Sequence, residues 1–300
     1  MSNIGIIIPE RARDIGNFLV GRLLPFHSKR MVGPFIFIDH MGPVTMSEHQ
    51  NMDIGPHPHI GLSTLTFLFE GAVVHRDSLG TAVEITPGAV NWMTAGHGIV
   101  HSERTPERLR HAGSTLGQVP ERSLHGLQIW VALPKALEDM EPAFHHTEAK
   151  DLPVWEADGA RFKLIAGEVM GHRSPVPVHS PLYMLEVHSE AGGEVRIGQH
   201  LYGEVGMYIL RGGVQEGAGG EWHGERRILV AKDPSLCTFT MAPHTTVYLF
   251  GGEPFPEERF IHWNFVATSE ARLEAAKQRW RDRQFPELVG ETGYVPMPER

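Results

Sequence analysis

The chain has 300 residues, 41% of them apolar, enough to bury one large or two moderate cores, and this length favours two domains. A net charge of −9 with no dense Lys/Arg cluster argues against direct nucleic-acid binding, and no apolar run approaches the roughly 18 residues of a membrane span. The single cysteine, Cys237, excludes an internal disulfide, and the charges at Glu10, Arg11, Arg13 and Asp14 fall where a signal peptide would carry its apolar core, so the chain reads as cytoplasmic.

From Gly16 to about Val131 short apolar runs alternate with turn signals: PFIFID (34–39), STLTFLFEG (63–71), AVEITPGAV (82–90) and HGLQIWVAL (125–133). That spacing predicts a sandwich or barrel of strands. LPKALEDMEP (133–142) reads as a short helical or linker segment closed by proline, and it places a domain joint there, giving domains 1–135 and 136–300. Strand-like runs resume with RFKLIAGEV (161–169), LYMLEVHSE (182–190), VGMYILRGGV (205–214), RRILVAK (226–232), LCTFTMA (236–242) and TVYLFGGEP (246–254), a second β domain. Near the end the period changes: Ser269-Glu270 opens a run with Leu273, Ala276 and Trp280 on one face, which predicts a C-terminal helix.

The stretch GPHPHIGLSTLTFLFEG (55–71) sets His57 and His59 one residue apart at the head of an alternating run. In a strand both point the same way. Two neutral imidazoles aimed into one space are a buried polar pair needing partners, or two ligands of one metal ion. Carried on along the run, the same parity turns Ser63, Leu65, Phe67 and Phe69 inward, as barrel core or as an apolar wall for a flat aromatic molecule. The segment TAGHGIVHSE (94–103) repeats the spacing with His101 and Glu103, after Gly96 and Gly98 allow a sharp turn. Neighbouring strands that each offer two donors surround one ion with three imidazoles and a carboxylate. Nitrogen and carboxylate donors without thiolate suit Fe(II), Mn, Ni, Cu or Zn, and four protein ligands leave open positions for a reaction. His97, between the two glycines, reads as a solvent-facing loop residue or as an outer-shell hydrogen-bonding partner of the site. Laying the second half of the chain over the first puts Gly198, His200, Tyr248 and Phe250 at the positions of His57, His59, His101 and Glu103. One donor of four remains there, so the second barrel is expected to hold no metal.

The segments PFIFIDHMGP (34–43), PHPHIGLSTLTFLFEG (56–71), HRDSLG (75–80), NWMTAGHGIVHSE (91–103) and WNFVATSE (263–270) resemble the pirin family of the cupin superfamily. The resemblance implies an all-β bicupin, two stacked jelly-roll-like β barrels with a C-terminal helix, and one divalent first-row metal, usually iron, in the N-terminal barrel. It assigns the same ligands, His57, His59, His101 and Glu103. Ser63 departs from the pattern, standing where cupins usually carry a glutamate.

Members of the family are of two functional kinds: quercetin 2,3-dioxygenases that open a flavonol with O2, and a nuclear co-regulator whose iron state modulates binding to a transcription factor. The first kind implies a small aromatic substrate, with Glu103 serving also as the base for a substrate hydroxyl. The second implies a regulatory protein partner. Negative charge without a basic patch favours the enzyme or small-molecule binder.

Overall fold

The computed structural model describes residues 2–16, 18–46, 50–110, 123–217, 219–234, 237–291 and 293–298. The chain is all-β in character, two cupin barrels with a C-terminal helix. It divides into two compact units that exchange terminal segments: one comprises Met1–Ala12, Gly21–Asp39 and Lys150–Phe255, the other Arg13–Val20, His40–Ala149 and Pro256–Arg300. These units do not part at a single point near residue 135, because the terminal segments pack with the more distant half of the chain. Strand Ile4–Pro9 pairs antiparallel with Arg227–Ala231 in the first unit. In the second, the helix Glu270–Arg281 buries Leu273, Ala276 and Trp280 against Ile60, Val100 and Phe265. Ser269 caps this helix by accepting the backbone N–H of Arg272, one of the first-turn donors that have no partner within the helix.

The unit containing the histidine motifs, called here the histidine unit, holds a four-stranded sheet in the order Asp53–His59, Ile99–Arg104, Val73–Asp77, Ala82–Ile85. Its second sheet includes, as successive neighbours, Ala143–Thr147, Val90–Thr94, Leu62–Glu70 and Ser123–Ala132. The segment between Leu133 and Pro142 contains only a single 3-10 turn at Lys135–Leu137.

The alternating run from His57 to Phe69 is two strands, not one. Gly61 adopts φ +68°, and a Cβ there would stand 2.0 Å from the Val266 carbonyl oxygen. The chain therefore turns at this point and moves from one sheet to the other. The parity expected for the residues beyond it is overturned. Ser63 lies against Thr94, Oγ to Oγ1 3.1 Å, and Trp92 donates its indole N–H to the same Thr94 at 3.2 Å. Leu65 and Phe67 share that face of the strand, and Phe69 packs edge-on to Phe67 and His125. The other face, with Thr64 and Thr66, looks toward the histidines.

In the other unit Ile4–Pro9 and the strands of Lys150–Phe255 form two sheets, and a core of Phe162, Leu185, Val187, Ile209, Val247 and Leu249 lies within it. There Gly198 and His200 form a 3-10 turn with His200 exposed. Tyr248 and Phe250 are buried on strand Thr245–Gly252, where the Tyr248 hydroxyl donates to Glu186 at 2.6 Å and Phe250 meets Phe35 edge to face. No helix of the described residues is long and apolar enough to cross a membrane.

Candidate metal centre

Antiparallel pairing of Asp53–His59 with Ile99–Arg104 places His101 opposite His57 and Ile99 opposite His59. Period-two alternation then puts all three imidazoles on one face, and their donor atoms lie within 4.8 Å of one another. Among the described residues no other three such side chains converge this closely. Gly96, at φ +51°, makes the turn into the second strand, where a Cβ would meet the Met140 carbonyl oxygen at 1.9 Å. Glu103 lies two residues beyond His101, past a register shift, buried and outside the 4.8 Å group. The Thr66 hydroxyl stands 3.4 Å from its Oε1 and 2.9 Å from Gln128 Oε1. His97 is elsewhere, half exposed, with Glu141 at 3.2 Å, as its loop position suggested.

The hydrogen bonds fix where the ring protons sit. The Nδ1–H of His57 donates to the Gly55 carbonyl at 2.8 Å, so its Nε2 lone pair is free for the cluster. The Nδ1 of His101 meets Nδ1 of His75 at 3.3 Å, while His75 Nε2 donates to Asp77 Oδ2 at 2.9 Å. If His101 presents its Nε2 lone pair to an ion, its Nδ1–H donates to His75 Nδ1, and the one proton of His75 is then the Nε2–H given to Asp77. That Nε2 faces Nε2 of His59 at 3.1 Å, and the buried Nδ1 of His59 has no hydrogen bond of ordinary geometry.

Burial also keeps these rings uncharged. It pushes His57 down to about 4, against the opposing pull of the Gly55 carbonyl. His59 and His101 are held well below the ordinary imidazole range by burial first and by the neighbouring imidazoles second. Glu103 moves the other way: burial raises it, and His75 and the Thr66 hydroxyl only partly offset this. For Asp77 burial alone would raise the carboxyl, but hydrogen bonds from His75 and Thr81 outweigh it and hold it low.

Three uncharged imidazoles with converging ring nitrogens, beside a buried carboxyl group, fit a divalent first-row ion. His59 Nε2 and His101 Nε2, 3.1 Å apart, share one proton in a hydrogen bond that a bound cation would replace. The wall of the site differs from the one expected. Trp130, buried, stands edge-on to His59 with ring centroids 5.2 Å apart, and Thr66, hydrogen-bonded in turn to Gln128, supplies a polar atom beside Glu103. Leu65, Phe67 and Phe69 lie on the opposite face. Thr66, Gln128, Trp130, His75 and Asp77 were not singled out as site residues; the His75–Asp77 pair repeats the one-apart spacing of the ligand pairs, and that was a visible signal.

Comparison with known proteins agrees with this architecture. The family model described as Pirin matches residues 17–131, and that of the Pirin C-terminal cupin domain matches residues 184–286. A pirin-like protein of Caulobacter vibrioides is 43% identical over 302 residues, covering 99% of this chain and 100% of the relative. A Pseudomonas aeruginosa protein provisionally named a quercetin 2,3-dioxygenase is 36% identical over 277 residues, covering 92% of this chain and 83% of its own length. The crystal structure of a quercetin 2,3-dioxygenase from Acinetobacter baumannii superimposes with a TM-score of 0.85 at 35% identity, covering 98% of this chain and 96% of that one.

Proposed function

This chain belongs to the pirin family, and we propose that it is a mononuclear metal enzyme that adds O2 to a flavonol-like aromatic substrate, with the ion held in the histidine unit. The observation that carries the reading is the convergence of three neutral imidazoles on one point beside a buried carboxylate. His57, His59, His101 and Glu103 would hold the ion, with iron the first expectation and Mn, Ni, Cu or Zn compatible with the same donors. When bound, such an ion lowers the pKa of a substrate hydroxyl and supplies the redox centre for O2 chemistry.

The chain's own residues do the rest. Glu103, its basicity increased by burial, is placed to accept the proton of the substrate hydroxyl, and the Thr66 hydroxyl, itself hydrogen-bonded to Gln128, contacts that carboxylate. Trp130 offers a rigid aromatic wall beside His59 to a flat ring. The names of the Pseudomonas and Acinetobacter relatives support the substrate class. The other unit, with Gly198, His200, Tyr248 and Phe250 at the corresponding positions, would hold no ion and serve as structure.

The test is oxygen uptake with quercetin and related flavonols, using protein loaded in turn with Fe(II), Mn, Ni, Cu and Zn. The expected result is one ion per chain and turnover with at least one metal. No uptake with any of them overturns the dioxygenase reading. Metal-dependent capture of a folded protein partner would then point to a regulator.

A further inference from the structure

The HRDSLG segment (75–80) holds two buried titratable groups, His75 and Asp77, that neither hold the ion nor face substrate in the reading above. Strand Val73–Asp77 pairs antiparallel with Ile99–Arg104, setting Asp77 opposite His101 and His75 opposite Glu103. Asp77 spends its two oxygens differently. Oδ1 accepts the backbone N–H groups of Leu79 at 2.9 Å and Thr81 at 3.1 Å, and Oδ2 accepts Nε2–H of His75 at 2.9 Å. The His75 ring is fixed from its face by Phe144, stacked at 4.4 Å and 18°. The loop is also locked to the ligand strand: Ser78 N–H donates to the Val100 carbonyl at 2.8 Å, and its hydroxyl accepts Val100 N–H at 3.2 Å.

We propose that Asp77 and His75 are positioning residues that set the tautomer of His101, so that its Nε2 presents a lone pair to the metal. The proposal rests on the metal-site reading above. It works as a chain of obligatory donors and acceptors. The two backbone N–H groups and the His75 Nε2–H all need an acceptor, which only an aspartate can be at every contact. With one proton on the His75 ring, held on Nε2 by Asp77, its Nδ1 is a lone pair that accepts from His101 Nδ1–H at 3.3 Å. Supporting hydrogen bonds of this kind fix ring orientation and donor strength in metal sites.

Asp77→Asn tests this because it preserves shape and reverses one contact. The two backbone N–H groups hold the Asn oxygen, so its NH2 faces His75 and donates to Nε2. His75 then carries its proton on Nδ1, His101 must accept there, and the His101 proton moves to Nε2 in the metal site. Metal affinity of Asp77→Asn, measured by competition titration with Ni(II) or Co(II), should fall about 10- to 100-fold. Nitrogen-15 NMR of the metal-free protein should show the His101 proton moved from Nδ1 to Nε2. The double variant Asp77→Asn, His75→Phe removes the ring that transmits the reversal, and should recover affinity relative to Asp77→Asn alone. Metal-free melting temperatures check that each variant is folded.

If wild-type protein binds neither metal, the metal-site reading fails. If wild type binds and folded Asp77→Asn binds equally tightly, or its His101 tautomer is unchanged, the positioning proposal fails while the site stands. An affinity loss in Asp77→Asn that the double variant deepens also overturns it, because the pair would then be acting as packing.

Discussion

The Thr66 hydroxyl lies 3.4 Å from Oε1 of Glu103, on a strand of the opposite sheet from the one that carries the carboxylate. This contact pulls against the burial that raises the Glu103 pKa. Thr66→Val keeps the volume and removes the donor, so Glu103 should hold its proton to still higher pH. Since the carboxyl must ionise to serve a metal, half-release of bound Ni(II) on acid titration should move to higher pH. An unchanged release curve would show that Thr66 packs against Glu103 without supporting its charge.

His57→Ala and His101→Ala should each empty the site. Each removes one of the three nitrogen donors and leaves two imidazoles with Glu103, a weaker ligand because burial raises its affinity for a proton. Elemental analysis should fall from one ion per chain to near none, while circular dichroism keeps the β signature, because the cores of both units are independent of the ion. Full metal content in either variant would place the ion elsewhere.

The metal-free protein should lose stability as pH falls from 6.5 toward 4. His57 is lowered from 6.5 to about 4 in the folded state, and His59 and His101 are lowered too. Across that window the unfolded chain binds protons that the folded one refuses, so stability rises with pH. His57 alone contributes on the order of 3 kcal/mol, fully present above 6.5 and lost by about pH 4. Glu103, raised in the folded state, acts oppositely above 4.5, and the three histidines outnumber it. Denaturant melts of metal-free wild type and His57→Gln between pH 4 and 7 should show a shallower slope in the variant. Equal slopes would mean that His57 keeps its ordinary affinity for protons.

Gly61→Ala should cost roughly 2–4 kcal/mol, since the residue sits at φ +68° with the Val266 carbonyl oxygen 2.0 Å from where a Cβ would be. Val266 N–H also donates to the Ile60 carbonyl at 3.2 Å, so the strain would be felt at the strand carrying His59. Thermal melting together with Ni(II) affinity checks both effects. A variant as stable as wild type would show that the turn can relax.

This glycine also marks the limit of what the chain revealed in advance. The convergence of His57, His59 and His101 was legible because each pair obeys a period of two within its own strand, and the C-terminal helix because Leu273, Ala276 and Trp280 obey a period of 3.6. The orientation of Ser63 and Phe67 was not. It depends on a turn at Gly61 imposed by the backbone of Val266, far along the chain, and no local pattern carries that information. The same holds for the exchange of termini between the units, which follows from pairing of Ile4–Pro9 with Arg227–Ala231. His75 and Asp77 stood in view as a spacing, but their role needed the register that sets Asp77 against His101.

Glu103→Gln separates holding the metal from accepting a proton. Glutamine keeps an oxygen that the Thr66 hydroxyl can reach, so the side chain stays in place, but it has neither the charge nor the basicity of the carboxylate. Metal should be retained at reduced affinity, because three imidazoles remain. Flavonol turnover at full loading should drop by about 10²–10⁴-fold, the usual loss when a general base is removed. The pH profile gives a second reading. In wild type the rate should climb with pH as Glu103, shifted upward by burial, loses its proton, and this ascending limb should vanish in the variant. A fully loaded Glu103→Gln that turns over near the wild-type rate, with the limb intact, would assign the proton to another acceptor and leave Glu103 as a ligand alone.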